Sequence, residues 1–91
     1  MERKRNKLEI IKDILTVIKE KSGRIKPTHI LYKSNLSHQM MKEYLEELMA
    51  KKFIKEIELK QGKTYEITSK GMNYLEEYHT VINFTNAFGL D

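Results

Sequence analysis

The chain has no cysteine, no tryptophan and a single proline among its 91 residues. Without thiols, neither a disulfide nor a thiolate metal site can hold it together, which agrees with a reducing, cytoplasmic setting. No apolar run approaches the ~18 residues that a bilayer span requires, and no signal-peptide core is expected behind the charged N-terminus. The four glycines are scattered, so there is no glycine-rich phosphate loop. The three histidines, His29, His38 and His79, fall on different segments at spacings that suit no metal, and no Ser/His/Asp grouping is supported. The carboxylates alternate with lysines, where solvated ion pairs are the ordinary outcome. These absences predict a protein that is not an enzyme. They predict no catalytic residue, metal, cofactor, small-molecule ligand or membrane partner.

What is present suits one small globular domain. Hydrophobic residues make up 40% of the chain and charged residues 33%, too apolar for general disorder. The positive charge is unevenly placed. Residues 1–26 carry nine Lys/Arg against four Asp/Glu, and residues 51–71 carry six against three. Residues 27–50 are slightly acidic, and no lysine or arginine follows Lys70. Such polarity suits an anionic partner at one end of the molecule and a different task at the other.

Apolar periodicity places the elements. Leu8, Ile11, Ile14, Leu15 and Ile18 recur at spacings of three and four, which predicts an amphipathic helix over about residues 4–21, stopped at Ser22-Gly23. Ile25 is a candidate short strand. Pro27 suits the first position of a short helix in which Ile30 and Leu31 are the apolar contacts. Across the turn Ser34-Asn35-Leu36-Ser37, Ser37 is an N-cap for a helix over 38–51 with Met41, Leu45 and Leu48 on one face. Phe53 to Leu59 alternates as a half-buried strand, the tip is Lys60-Gln61-Gly62-Lys63, and Thr64 to Ile67 returns. Thr68 caps a last helix, 69–88, with Gly71 in its first turn.

Helix, turn, helix and basic hairpin in that order predict an α+β fold, a winged helix-turn-helix. Its boundaries are residues 1–71 for the winged-helix domain and 72–91 for an additional C-terminal helix belonging to it. The helix over 38–51 is the candidate recognition helix. Major-groove reading needs polar side chains in the first turns, and Ser37, His38, Gln39 and Lys42 supply them. Gln39 suits bidentate bonding to adenine, and Lys42 suits guanine or phosphate. An ordinary solvated helix face would look similar, and Glu43, Glu46 and Glu47 oppose deep insertion of the second half. Lys60 and Lys63 at the tip are candidate phosphate contacts, although lysines on an edge hairpin also deter strand pairing between molecules. The N-terminal Arg3, Lys4, Arg5 and Lys7 oppose the helix dipole. Arg5 and Lys7, with Lys26 and Arg24 before the second helix, are further backbone candidates, the alternative for the cluster being a solubilising helix start. On the last helix Tyr74, Leu75, Tyr78, Val81, Ile82 and Phe88 span more than one stripe, which predicts a homodimer interface.

Taken together, the Leu36-Ser37 turn, the Tyr44-Leu45-Glu46-Glu47-Leu48 helix, Phe53-Ile54 and Thr68-Ser69-Lys70-Gly71 give a family likeness. The chain resembles archaeal winged-helix regulators, including the small chromatin-associated proteins of the 10a type. That resemblance covers nearly the whole chain. It implies binding of double-stranded DNA through the helix after the turn and the wing, by a transcription regulator or nucleoid-associated protein. In the 10a branch it also implies a homodimer through long C-terminal helices. Here Asn83, Thr85 and Asn86 interrupt the apolar side, so a shorter dimer contact is expected. The alternative use of the same faces is a protein–protein interaction module in a larger assembly. An RNA-binding winged helix is a third option, without an evident aromatic stacking platform.

Overall fold

A computed structural model describes residues 5–21 and 24–90. The Glu2-Arg3-Lys4 part of the basic cluster and the expected stop at Ser22-Gly23 lie outside them. The order is α1 (Lys7–Lys21), α2 (Pro27–Ser34), α3 (His38–Ala50), β1 (Ile54–Leu59), β2 (Gly62–Ile67) and α4 (Ser69–Ala87).

α1 is the central helix, packed on α2, α4 and β2. It starts at a capping box in which the Glu9 N–H donates to Asn6 Oδ1 at 2.8 Å and the Asn6 N–H reaches back to Glu9 Oε1 at 3.5 Å. Ile11, Ile14, Leu15 and Ile18 are buried as the spacing requires, and Ile10 and Val17 join them because α1 is covered on more than one side. Leu8 departs from the expected stripe, with 57% of its surface exposed. It lies in the first turn, beyond the packed stripe, where the Leu8 carbonyl receives the Tyr74 hydroxyl at 2.9 Å.

Ile25 is fully buried and forms a single antiparallel bridge to Tyr65. α2 begins on Pro27 and ends where Asn35 turns left-handed at φ 54°. The Leu36 and Asn35 N–H groups then satisfy the Leu31 and Tyr32 carbonyls, the double closure of a Schellman motif. Ser37 caps α3 by accepting the Met40 N–H at 3.1 Å. α3 ends in the same way as α2, with Lys52 left-handed at φ 64° and Phe53 N–H bonded to the Leu48 carbonyl at 2.9 Å.

The hairpin pairs Ile54 with Ile67 through to Leu59 with Gly62, leaving Lys60-Gln61 as a two-residue tip. Thr68 joins three elements. Its N–H donates to the Phe53 carbonyl at 3.1 Å, its hydroxyl donates to the Lys52 carbonyl at 2.7 Å, and the same oxygen accepts the Gly71 N–H at 3.2 Å. Gly71 is required by close approach. A Cβ there would collide with the Phe53 carbonyl oxygen and stand 2.6 Å from Ile67 Cγ1. One core results, with Ile14, Leu15, Ile18, Ile25, Ile30 and Leu48 fully enclosed. Each such side chain contributes about 1.5–3 kcal/mol relative to exposure.

Candidate nucleic-acid interface

The first turns of α3 face solvent. His38, Gln39 and Lys42 are exposed, and Lys42 has no ion-pair partner among the described residues. The hydroxyl of Ser37, though occupied as an acceptor by the cap, keeps its proton to donate. Gln39 Nε2 donates to Glu43 Oε1 at 2.8 Å. That bond uses one of two amide hydrogens, so Oε1 and the second N–H remain for the acceptor–donor pair that an adenine edge presents.

Between α3 and the hairpin runs an open groove of about 330 Å³. Met41, Leu45, Met49 and Tyr65 give it an apolar floor, and Lys42, Glu46, Glu56 and Lys63 stand at its rim. Pro27 also lines it, directly after the exposed Lys26. The fold therefore gathers Lys42 and Lys63 around one groove, although the chain separates them widely. Burial pushes the Tyr65 phenol above its usual range, and Glu56 adds to the shift.

The wing's two lysines are not equivalent. Lys60 is exposed at the tip without an ion pair among the described residues. Lys63 Nζ lies 3.0 Å from Glu56 Oε1, and this hydrogen bond, with the charge of Glu56, raises the Lys63 pKa. Lys55 stands 3.4 Å from Glu66.

Arg5 and Lys7, expected on the DNA backbone, are paired with carboxylates of the chain itself at its surface. Arg5 Nη1 donates to Asp13 Oδ2 at 2.6 Å and Nη2 to the Asn35 carbonyl at 3.1 Å, so the guanidinium ties α1 to the helix-turn-helix turn. Lys7 Nζ lies 2.9 Å from Glu47 Oε2, tying α1 to the second half of α3. The bond to Glu47 raises the Lys7 pKa, and Lys7 lowers that of Glu47. Partial burial pushes Asp13 up, but hydrogen bonds from Lys12 and Arg5 outweigh it and leave its pKa lowered. For both cations a carboxylate within reach competes with any phosphate.

α4 also departs from expectation. Leu75 is 5% exposed and belongs to the chain's own core, so it has no surface to offer a partner. Tyr74 is half-buried, edge-on to Phe53 at 5.6 Å between ring centroids. Tyr78 is half-buried beside it, with Lys12 Nζ 5.9 Å from the ring centroid. Beyond Tyr78 the helix leaves the domain. Val81, Ile82 and Phe88 are exposed, and so are Phe84 and Leu90, with the Phe84 and Phe88 rings 4.9 Å apart. Gly89, left-handed at φ 65°, and the Leu90 N–H on the Thr85 carbonyl at 2.8 Å close the helix.

The carboxylates that decide which lysines are free, Asp13, Glu47 and Glu56, were not among the expected site residues. Glu56 has a sequence signal once the tip is set at Lys60-Gln61. Glu58 then opposes Lys63, and Glu56 is its diagonal neighbour on the same face. Glu47 and Asp13 have none, because both pairs depend on how α1 crosses the other helices. Among the described residues no helix is long and apolar enough to cross a membrane, and no three His, Asp or Glu side chains gather to hold a metal ion.

Comparison with known proteins agrees with this geometry. The family model described as winged helix-turn-helix matches residues 4–86. The fold is similar to that of Sso10a-2, a DNA-binding protein from Sulfolobus solfataricus, at 24% identity and TM-score 0.79 over 92% of this chain and 85% of that one. It is also similar to the PcaV transcriptional regulator from Streptomyces coelicolor, at 12% identity and TM-score 0.76 over 85% of this chain and 58% of that one. ZitR from Lactococcus lactis gives 18% identity and TM-score 0.71 over 97% and 62%. No curated protein sequence matches the chain.

Proposed function

The chain belongs to the winged helix-turn-helix family, and from that membership we propose that it binds double-stranded DNA as a homodimeric transcription regulator or nucleoid-associated protein. The observation that carries the reading is the grouping of Lys42 and Lys63 around one groove, with His38 and Gln39 exposed on α3, Lys60 at the wing tip and Lys26 exposed just before Pro27. Phosphate neutralisation by Lys26, Lys42 and Lys60 supplies most of the affinity, and Lys63 adds to it when it leaves Glu56. Sequence preference comes from Ser37, His38 and Gln39 in the first two turns of α3, with Glu43 holding the Gln39 amide in place. The likeness to a protein described as DNA-binding and to one described as a transcriptional regulator supports this reading.

Two copies pair through the exposed end of α4, by Val81, Ile82, Phe84, Phe88 and Leu90, with Tyr74 and Tyr78 at the margin. The face is apolar, and the sequence beyond Lys70 carries no Lys or Arg, so pairing there leaves the basic groove to the duplex. Val81→Glu with Phe88→Glu is expected to give monomers in analytical ultracentrifugation while the circular dichroism spectrum stays unchanged.

A salt-titrated binding assay comparing random duplex with genomic fragments tests the proposal. Tight binding that weakens steeply with salt is expected, and a specificity ratio near one assigns the nucleoid role. Gln39→Ala is expected to change preference between sequences more than overall affinity. Failure to bind any duplex at low salt would remove DNA as the partner.

A further inference from the structure

The wing ends in an apolar side chain that nothing in the fold uses. Leu59, the last residue of β1, is 52% exposed and stands next to the basic tip. Its partner across the ladder is Gly62, which has no side chain to pack against it. Around Gly62 the space is open, with no atom within 4 Å of where a Cβ would lie. Single exposed leucines are ordinary on protein surfaces. This one differs in its position, at the far end of a hairpin, next to Lys60 and near Lys63.

Strand alternation separates Leu59 from Glu56 and Glu58. Lys55, Ile57 and Leu59 share one face, and Glu56 and Glu58 share the other with Lys63 and Tyr65. Glu56, Lys63 and Tyr65 line the groove against α3. The face that carries Leu59 at its tip has its one carboxylate, Glu66, at the far end of the hairpin, paired with Lys55 at 3.4 Å, while Glu56 and Glu58 point the other way. Two hairpin strands lie about 4.8 Å apart before side chains are counted, against a minor groove about 6 Å wide. A ribbon tip enters that groove only where it is opened, and an apolar side chain wedged between base pairs opens it.

Resting on the DNA-binding reading above, we propose that Leu59 is such a wedge. The wing tip enters the minor groove, Leu59 unstacks one base step, Lys60 holds a flanking phosphate, and the duplex bends away from the wing. Pyrimidine–purine steps, the easiest to unstack, are the preferred sites.

The test uses the full chain and a duplex of about 30 bp, far below the persistence length of about 150 bp, so that a measured bend is imposed by the protein. End-to-end energy transfer reports the bend, and 2-aminopurine at a central TA step reports unstacking. The wild-type protein is expected to bend the duplex by roughly 20–90° and to raise the 2-aminopurine emission. Leu59→Ala should still bind and lose both signals, and Leu59→Met should keep them. Equal bending and emission by Leu59→Ala and wild type, or wild-type binding without either signal, would overturn the wedge while leaving DNA binding intact. Absence of wild-type binding to any duplex would overturn both. A change in sedimentation of Leu59→Ala without DNA would assign the side chain to contacts between copies instead.

Discussion

Lys60 and Lys63 sit three residues apart on one hairpin, yet only Lys63 has a carboxylate 3.0 Å away. Each phosphate neutralised by a lysine contributes about 0.9 to the slope of log K against log salt. Between about 50 and 200 mM salt, a fourfold span, a slope of 0.9 corresponds to about 3.5-fold in affinity. Lys60→Ala is therefore expected to flatten the slope by about 0.9, so that its deficit against wild type shrinks about 3.5-fold over that range. Lys63→Ala should flatten it by less than half as much, because Glu56 already satisfies that ammonium. Glu56→Gln keeps the shape, removes the competing charge, and is expected to tighten binding and steepen the slope by up to about 0.9. Fluorescence anisotropy with a labelled duplex at several salt concentrations measures all four proteins. If Lys60→Ala and Lys63→Ala flatten the slope equally and Glu56→Gln leaves it unchanged, carboxylate pairing does not decide which lysines reach DNA.

Arg5→Ala should lower stability by up to about 1 kcal/mol, the upper range for partly exposed pairs, and leave the salt slope unchanged, since the guanidinium neutralises Asp13 rather than a phosphate. Gly71→Ala pushes a methyl group into the Phe53 carbonyl and Ile67, and a loss near about 3 kcal/mol is expected. In a domain of this size calorimetry would show that as a fall in Tm of more than about 10 °C. Lys52→Gly relieves a left-handed residue and should raise stability by about 0.5–1 kcal/mol after the added chain entropy. The pH profile of Tm should be flat near neutrality and fall at both ends. Tyr65 and Tyr74, raised by burial, and Lys7 and Lys63, raised by their hydrogen bonds, stabilise fully below their ordinary values of 10.0 and 10.5 and lose that contribution as pH rises through the folded values. Asp13 and Glu47, both lowered, stabilise above their ordinary 3.8 and 4.5 and lose that contribution as pH falls through the folded values.

The fold was legible where a residue's chemistry acts on its near neighbours. Pro27, Ser37 and Thr68 each start a helix because a missing N–H or a nearby hydroxyl solves a local problem of unpaired backbone, and the chain shows all three. The cap at Asn6 is written just as plainly, as Asn followed three residues later by Glu9, but the lysines and arginines before it make the helix seem to start earlier. What periodicity cannot give is where a stripe stops being covered. Leu8 and Leu75 both lie on regular apolar spacings, yet one is exposed and the other enclosed. The candidate site was legible in its residue types and not in their availability. A lysine looks the same in sequence whether free, as Lys42 and Lys60 are, or held by Glu47 or Glu56.

Thr68 and Gly71 give the molecule a stiff elbow. One hydroxyl grips the chain just after α3 and the start of α4, and the glycine lets α4 rest directly on the Phe53 carbonyl. α3 and α4 are thus joined through one threonine and one close backbone contact, so that on the proposed reading the two helices turn together. In a dimer joined through α4, the separation of the two recognition helices is then a property of this elbow rather than of any residue touching DNA. Half-sites on one face of a duplex lie about 34 Å apart, and an offset of one base pair rotates the target by about a tenth of a turn. A rigid lever resolves that rotation where a hinged one would average over it. Operator spacing would thus be set by a threonine and a glycine that never approach the duplex.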